Sequence, residues 1–424
     1  MCSFMSKKRS HTPRWHILAG GALIELLGGV PAAWGAFQKG VEQGYELEQD
    51  AVILLFSLII AAYGVGCVLG GALQDKMGAR AACLVGAAGL GGGFFGGSFL
   101  PEGGTLWLVL AFSLPVGLGC AFLYPAVMSC AQKWFPDRRG FATGVIGGAV
   151  GLSGAVLTLL ARTLIGSSGI RGCFRVLGIA MAATGVLGAL ILREPRSGDL
   201  PDGKGAVKEQ PKTGENRSDH ADGDQAAANS VPSVPPARVI RTADYWLLLT
   251  SVACAAPTVL LFSPVILQLG QQRGLTENAA VLSIVVGSFT SAAGRLLMPW
   301  CSDRIGRRGT GLILFGALAA FSAGFAFAQR AWVIVLYAAL TFCYSGQAAL
   351  LPAFAQDRYG PRRAGVNYGL LALGMSVGSV AFPFLARAWQ GDAASHWVAV
   401  AAAGVGFACL LAYGRGQDSL HRPR

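Results

Sequence analysis

Few residues of this sequence could do chemistry, and those that could lie in apolar surroundings. Arg295 stands in Ser291-Ala-Ala-Gly-Arg295-Leu-Leu-Met-Pro-Trp-Cys-Ser-Asp303-Arg304-Ile-Gly306-Arg307-Arg308, where an apolar run passes into a basic cluster. A helical rise of about 1.5 Å per residue separates Arg295 from Asp303 by roughly 12 Å. If Asp303 marks a membrane surface, the guanidinium lies toward the middle of a hydrocarbon layer about 30 Å thick. A cation at that depth is costly and calls for an anion or a water-filled surrounding. A guanidinium grips a carboxylate through two parallel hydrogen bonds and cannot be deprotonated, so a small organic anion is a natural partner. The alternatives are an arginine whose stem reaches the nearer face, or one paired with a fixed acid.

Glu25, in Gly20-Gly-Ala-Leu-Ile-Glu25-Leu-Leu-Gly-Gly29, is the acidic residue set well inside an apolar run. A carboxyl so placed can be poised to take up a proton, although a fixed ion pair or a side chain reaching water would also account for it. Tyr124, Gln268, Tyr344 and Gln347 are polar or aromatic candidates for lining a cavity. Such residues inside a bundle serve as often in helix–helix hydrogen bonds. Lys39 follows Trp34-Gly-Ala-Phe37-Gln38 at the end of an apolar run, where a lysine commonly places its ammonium at the interface. None of the five histidines falls in mid-span, so a histidine relay is not expected.

The elements that must position these side chains are membrane spans. Of the residues, 53% are hydrophobic and 13% charged, with 60 glycines; the mean hydropathy is +0.51. That composition indicates an all-α polytopic membrane protein and not a set of soluble domains. Apolar runs of spanning length are predicted at 16–38, 50–73, 80–99, 105–131, 139–165, 171–192, 244–270, 277–300, 309–328, 331–355, 363–389 and 395–414. They divide the chain into a tail (1–15), a six-helix bundle (16–192), a linker (193–243), a second six-helix bundle (244–414) and a tail (415–424). The linker carries basic and acidic residues in equal number and little to bury, so it should be disordered. The glycines at Gly147, Gly148, Gly151 and Gly154, and at Gly374 and Gly378, recur at roughly helical spacing and should let helices approach closely.

The net charge of +12 is distributed as membrane topology requires. With the N-terminus inside, the opposite face holds only Lys39, Arg162, Arg171, Arg175, Arg273, Arg330 and Arg387. Arg295 belongs to neither face, and the remaining basic residues are cytoplasmic. Both termini are therefore expected in the cytoplasm, in a plasma or inner cell membrane. Nucleic acid is not an expected partner. The ten cysteines show no CxxC pair or metal-ligand spacing and read as small packing residues. No nucleophile–base constellation, metal motif or phosphate loop is present, so neither an enzyme nor a cofactor is expected.

The two halves repeat each other. Gly71-Ala-Leu-Gln-Asp75-Lys76-Met-Gly78-Ala-Arg80 corresponds to Pro299-Trp-Cys-Ser-Asp303-Arg304-Ile-Gly306-Arg307-Arg308, and Arg138-Arg139-Gly140…Gly144 to Arg362-Arg363…Gly365…Gly369. These paired loops resemble the G-x-x-x-D-[RK]-x-G-x-[RK] signature of the major facilitator superfamily. The resemblance implies twelve helices as two pseudo-repeated bundles and alternating access. It also implies loops that gate one face through Gly71, Asp75, Gly78, Arg80, Asp303, Arg304, Gly306 and Arg307. Pro299 departs from the family glycine in the second copy and puts that loop's gating role in doubt.

Three further stretches are similar to the oxalate/formate antiporter and monocarboxylate transporter families: Gly117 to Gly144 with Tyr124-Pro125 and Lys133-Trp134-Phe135-Pro136, Ala279-Ala280 followed by Gly294-Arg295, and Asn367-Tyr368-Gly369-Leu370-Leu371. This likeness implies a secondary carrier of small carboxylates, coupled to protons or a counter-anion, with Arg295 binding the carboxylate. It places aromatic site residues at Tyr124 and Tyr344, and gives Lys39 a possible role at the outer mouth. The oxalate exchangers carry a second cation where Met375 stands here. One cation without that lysine matches one carboxylate better than two, which favours a monocarboxylate over dicarboxylate exchange. Formate exchange, or a drug or sugar exporter with Arg295 paired to Glu25, are the alternatives. A monomer is expected.

Overall fold

The computed structural model describes residues 14–135, 138–195, 234–360, 363–388 and 394–414. Every long element among them is a helix. Backbone amides have no partner in a lipid core except one another, which leaves apolar runs of this length little alternative. Eleven helices are long and apolar enough to cross a membrane. One of these, Gly140–Ile191, is 52 residues long and breaks at Gly169 (φ 67°, ψ 179°), so it supplies two of the twelve expected passes. Ile165 and Ile170, on either side of that break, both lie against Gly40.

The first pass is two helices, α1 (Arg14–Gly28) and α2 (Val30–Gly44), parted at Gly29 by Pro31 in the first turn of α2. Proline lacks the amide that a continuous helix would need there. Then follow α3 (Gln49–Met77), α4 (Ala79–Gly97) and α5 (Thr105–Trp134), the last with a π-helical turn over Val109–Ser113. The long α6 (Arg139–Ile191) completes the first half.

The seventh pass is not the single helix expected at 244–270. It is α7 (Ala243–Ala255), a short turn Pro257–Leu260, and α8 (Ile266–Gln272). Pro257 and Pro264 each remove a ladder hydrogen bond, so the pass is broken twice. The remaining elements are α9 (Glu277–Ile305), α10 (Arg307–Ala326), α11 (Ala331–Tyr359), α12 (Ala364–Ala388) and α13 (Ala394–Ala412). Thr242 and Thr276 cap α7 and α9, accepting from the amides of Tyr245 and Ala279.

The expected linker 193–243 is narrower than its composition suggested. Trp134 donates to Arg193 O, Lys133 pairs with Glu194 at 2.8 Å, and Val234 donates to Tyr359 O at 2.9 Å ahead of a short helix, Pro236–Val239. The expected disorder of its middle, the tails 1–13 and 415–424, and Pro136, Asp137, Pro361 and Arg362 lie outside the described residues.

Helices α1–α6 pack among themselves, as do α7–α13. The main seams between the two sets are α3 against α12 and the first part of α6 against α9. On the first seam, Ser376 donates to Ala61 O at 2.7 Å and Ser379 to Ser57 O at 3.2 Å. On the second, Gly144, Gly147 and Gly151 face Leu296, Arg295 and Ala292. A methyl group at Gly151 would overlap the backbone of Ala292. This close approach is what the glycine spacing anticipated.

Candidate functional site

Arg295 lies on α9 within the α6 seam, and its stem passes over Gly147, where a Cβ would come within 3.3 Å of that of Arg295. Arg295 lines two chambers between the helix sets. The larger, about 140 Å³, is bounded by Glu25, Tyr124, Arg295, Tyr344 and apolar side chains including Ile60, Val259, Leu260 and Ile284. The smaller, about 30 Å³, is bounded by Tyr63, Tyr124, Arg295, Tyr344, Gln347, Tyr368 and Met375. Arg295, Glu25, Tyr124, Tyr344 and Gln347 thus gather from four passes, the last two from α11.

Two atoms at this place stand out. Oε1 of Glu25 and Nε of Arg295 are buried and have no hydrogen-bond partner. Glu25 is 2% exposed. Among the described residues no ion pair joins it to Arg295, yet each lies within the other's electrostatic reach. Both side chains line the larger chamber, and a buried polar atom without a partner calls for an explanation. Glu25 owes its place to the end of α1, one turn before the break at Gly29. The carbonyls freed there are taken up by neighbours: Cys120 donates to Gly28 O at 3.0 Å and Ser153 to Gly29 O at 3.1 Å.

Lys39 and Gln268 are elsewhere. They line a separate vestibule of about 590 Å³ with Gln38, Glu42, Gln49 and Arg162. The vestibule lies at the starts of α3 and α9, opposite the Asp75 and Asp303 ends of those helices. Gln268, expected as a cavity-lining residue of the seventh pass, does not line either chamber at Arg295. Because that pass is interrupted, Gln268 sits on α8, accepting from Gln49 Nε2 at 3.1 Å. Other links span the two helix sets at this end: Arg387 pairs with Asp50, while Arg162 donates to Asn278 at 3.2 Å and approaches Glu277 at 3.8 Å.

Tyr63 and Tyr368 escaped selection as site residues. Both line the smaller chamber and lie close to each other. Tyr63 had a signal, a single phenol in the aliphatic run Ile59 to Val68. Tyr368 had been noted only as part of a sequence likeness.

At the other end, the two signature loops share one backbone and differ in their contacts. Gly78 (φ 84°, ψ 168°) and Gly306 (φ 87°, ψ 147°) hold the same left-sided turn that ends α3 and α9. Asp75 and Asp303, with Arg304, are in the last helical turns and not in free loop. Asp303 pairs with Arg307 at 2.6 Å, and Arg307 also donates to Asp357 at 3.2 Å. Arg304 stacks over Trp300. The residue four beyond Asp75 is Ala79, so no such local pair can form. Asp75 lies instead against Gly365 at the start of α12, in the opposite helix set. Gly71 packs there too; a Cβ on it would come within 2.6 Å of the Gly365 carbonyl carbon. Arg80 is exposed. The first loop bridges the seam, while the second, with Pro299, satisfies its charges on its own side.

A many-pass helical bundle with glycine-lined seams and a charged chamber between helix sets has the architecture of a membrane transporter. Residues 17–383 match the model of the Major Facilitator Superfamily, and the chain belongs to that family. It is a multi-pass membrane transporter and not an enzyme. It is similar to an oxalate:formate antiporter of Oxalobacter formigenes, 24% identical over 87% of this chain and 82% of the relative. It is also similar to an uncharacterized MFS-type transporter of Escherichia coli, 22% identical over 89% and 88%. A shorter match is to monocarboxylate transporter 9 of Pongo abelii, 33% identical over 30% of this chain and 24% of that protein.

Proposed function

We propose that this chain is a secondary carrier of small organic anions, in the first place monocarboxylates, and that Arg295 binds the carboxylate. The observation that carries the reading is the position of Arg295: a guanidinium with an unpartnered buried Nε, at the junction of two chambers between the helix sets. The likeness to an oxalate:formate antiporter and to a monocarboxylate transporter supports the same class of cargo. Tyr124, Tyr344 and Gln347 supply further polar contacts beside the guanidinium.

The units 16–192 and 244–414 rock about this site as two six-helix bundles. The distribution of Lys and Arg supports an orientation in which the signature loops and both termini are cytoplasmic, in the cell membrane. The loop-bearing face is then the closed one, held by Gly71 and Asp75 against α12, with the Asp303–Arg307 cluster as its local counterpart. The vestibule of Lys39 and Gln268 is the outer approach, where a lysine raises the local concentration of anions. Glu25 supplies proton coupling. A carboxylate arriving at Arg295 makes a second negative charge in the chamber, which is relieved if Glu25 takes up a proton. Anion and proton then cross together without net charge. The protein works as a monomer in the bilayer.

Uptake of labelled butyrate into proteoliposomes tests the reading. Arg295→Ala should reduce uptake to background, and Arg295→Lys, which keeps the charge and loses the two-pronged grip, should lower it at least about tenfold. Undiminished uptake by either variant would remove Arg295 from the site.

A further inference from the structure

We infer that the anion carried is a monocarboxylate with a compact apolar tail, about the size of a benzene ring or a branched five-carbon chain. Its carboxylate sits at Arg295 and its tail in the larger chamber. This rests on the carboxylate reading of Arg295 and adds what the rest of the molecule must be.

The two chambers divide the work by size. The smaller, about 30 Å³, is about two to three times what one water needs, room for a carboxylate or a few waters and not for a ring. The larger, about 140 Å³, approaches the roughly 150 Å³ of an apolar cavity known to accept benzene. Apolar side chains such as Ile60, Val259, Leu260 and Ile284 make up most of its surface, beside the rings of Tyr124 and Tyr344.

Hydroxyls are present in that wall, and several already spend their protons within the protein. Ser288 donates to Ile284 O at 2.8 Å, Thr341 to Ala338 O at 2.9 Å, and Ser291 and Ser345 bond each other at 2.6 Å. A hydroxylated tail would exchange its water for the lone pairs those hydroxyls leave open, within a wall that is mostly apolar. Glu25 lines the same chamber, so a second carboxylate would meet an acid and no second cation. Met375 stands at the junction and adds apolar surface. Formate or oxalate would bind at Arg295 and leave the chamber to water, forgoing the burial that a tail provides.

Ligand-dependent thermal stabilisation of the purified full-length protein, titrated at fixed pH and ionic strength, tests this. The panel is acetate, butyrate, 3-methylbutyrate, phenylacetate, 3-phenylpropionate, naphthylacetate, oxalate and phenylalanine. Affinity should rise roughly fourfold per added methylene along the alkyl series. It should peak near phenylacetate and fall for naphthylacetate. Oxalate should bind more weakly than butyrate, and phenylalanine more weakly than 3-phenylpropionate. Leu260→Phe should lower affinity for phenylacetate at least tenfold relative to acetate, and Leu260→Ala should raise naphthylacetate relative to phenylacetate. Equal affinities along the series, tighter binding of oxalate or phenylalanine, or an order untouched by both Leu260 variants would overturn the tail assignment. If affinities are flat but vanish in Arg295→Ala, only the tail is wrong. If no acid binds the parent protein, the carboxylate reading falls and the tail assignment with it.

Discussion

Arg295 and Glu25 share one chamber, and among the described residues no ion pair joins them. A closed pair would already be satisfied and would gain nothing from a ligand. On the proposed reading, a carboxylate on Arg295 and a proton on Glu25 would offset the cost of keeping the two groups dry and apart. Glu25→Gln imitates the protonated form permanently. It should abolish acceleration of uptake by an inward proton gradient while leaving exchange of internal for external anion measurable in preloaded liposomes. If Glu25→Gln still responds to the gradient, coupling resides elsewhere. A different pair is purely structural. Asp244 and Arg358 meet at 2.6 Å with 7% and 15% of their side chains exposed, at the junction of α7 and α11. Removing one partner leaves the other charged and buried, at a cost of about 3 kcal/mol or more. Arg358→Ala should therefore lower the melting temperature in detergent markedly, whereas Lys133→Ala, whose exposed pair with Glu194 contributes little, should not.

Among the helices, function is written in the seams and in the breaks. The α6–α9 seam brings Gly151 onto the backbone of Ala292 and seats the stem of Arg295 on Gly147. Gly151→Leu should hold the two helices apart and so prise open the loop-bearing face. The expected outcome is slower uptake with faster amide hydrogen exchange over the last turn of α3 and the first turn of α12. Unchanged exchange in both segments would show that the seam does not hold that face closed. The breaks matter equally. An unbroken first pass would carry its ladder straight past Gly29, and an unbroken seventh would run as one helix from Ala243 to Gln272. Prolines prevent both.

For the molecule as a whole, the two ends are fastened by different forces. The loop-bearing end closes through backbone against backbone at Gly71 and Gly365, with little room to yield. The vestibule end is joined by exposed polar links such as Asp50 with Arg387 and Gln49 with Gln268. Exposed pairs of that kind contribute about 0–1 kcal/mol and weaken with salt. Asp50→Ala should thus change the KM for uptake by no more than about fivefold, in contrast to the loss expected at Arg295. Raising the salt should bring parent and variant together. A collapse of transport in Asp50→Ala would mean that this link is a principal gate.

The sequence by itself determined the class of protein, the number of passes, the internal repeat, the paired signature loops and the anomaly of Arg295. All of these depend on local quantities: hydropathy summed over some twenty residues, spacing within a loop, and a charge where apolar residues surround it. It could not say which side chains share a chamber with Arg295. These helices are apolar around most of their circumference, so the pattern of residues hardly marks which face turns inward. Tyr63, Tyr124, Tyr344 and Tyr368 come together from four passes, and only the rotation of each helix about its axis decides that. Gln268 likewise lines the vestibule and not the chambers at Arg295, a distinction that its helix's sequence does not mark. Glu25 was legible as a buried acid. That it faces the same cavity as Arg295, 270 residues further along the chain, was decided by the packing of α1 and α9 around that cavity.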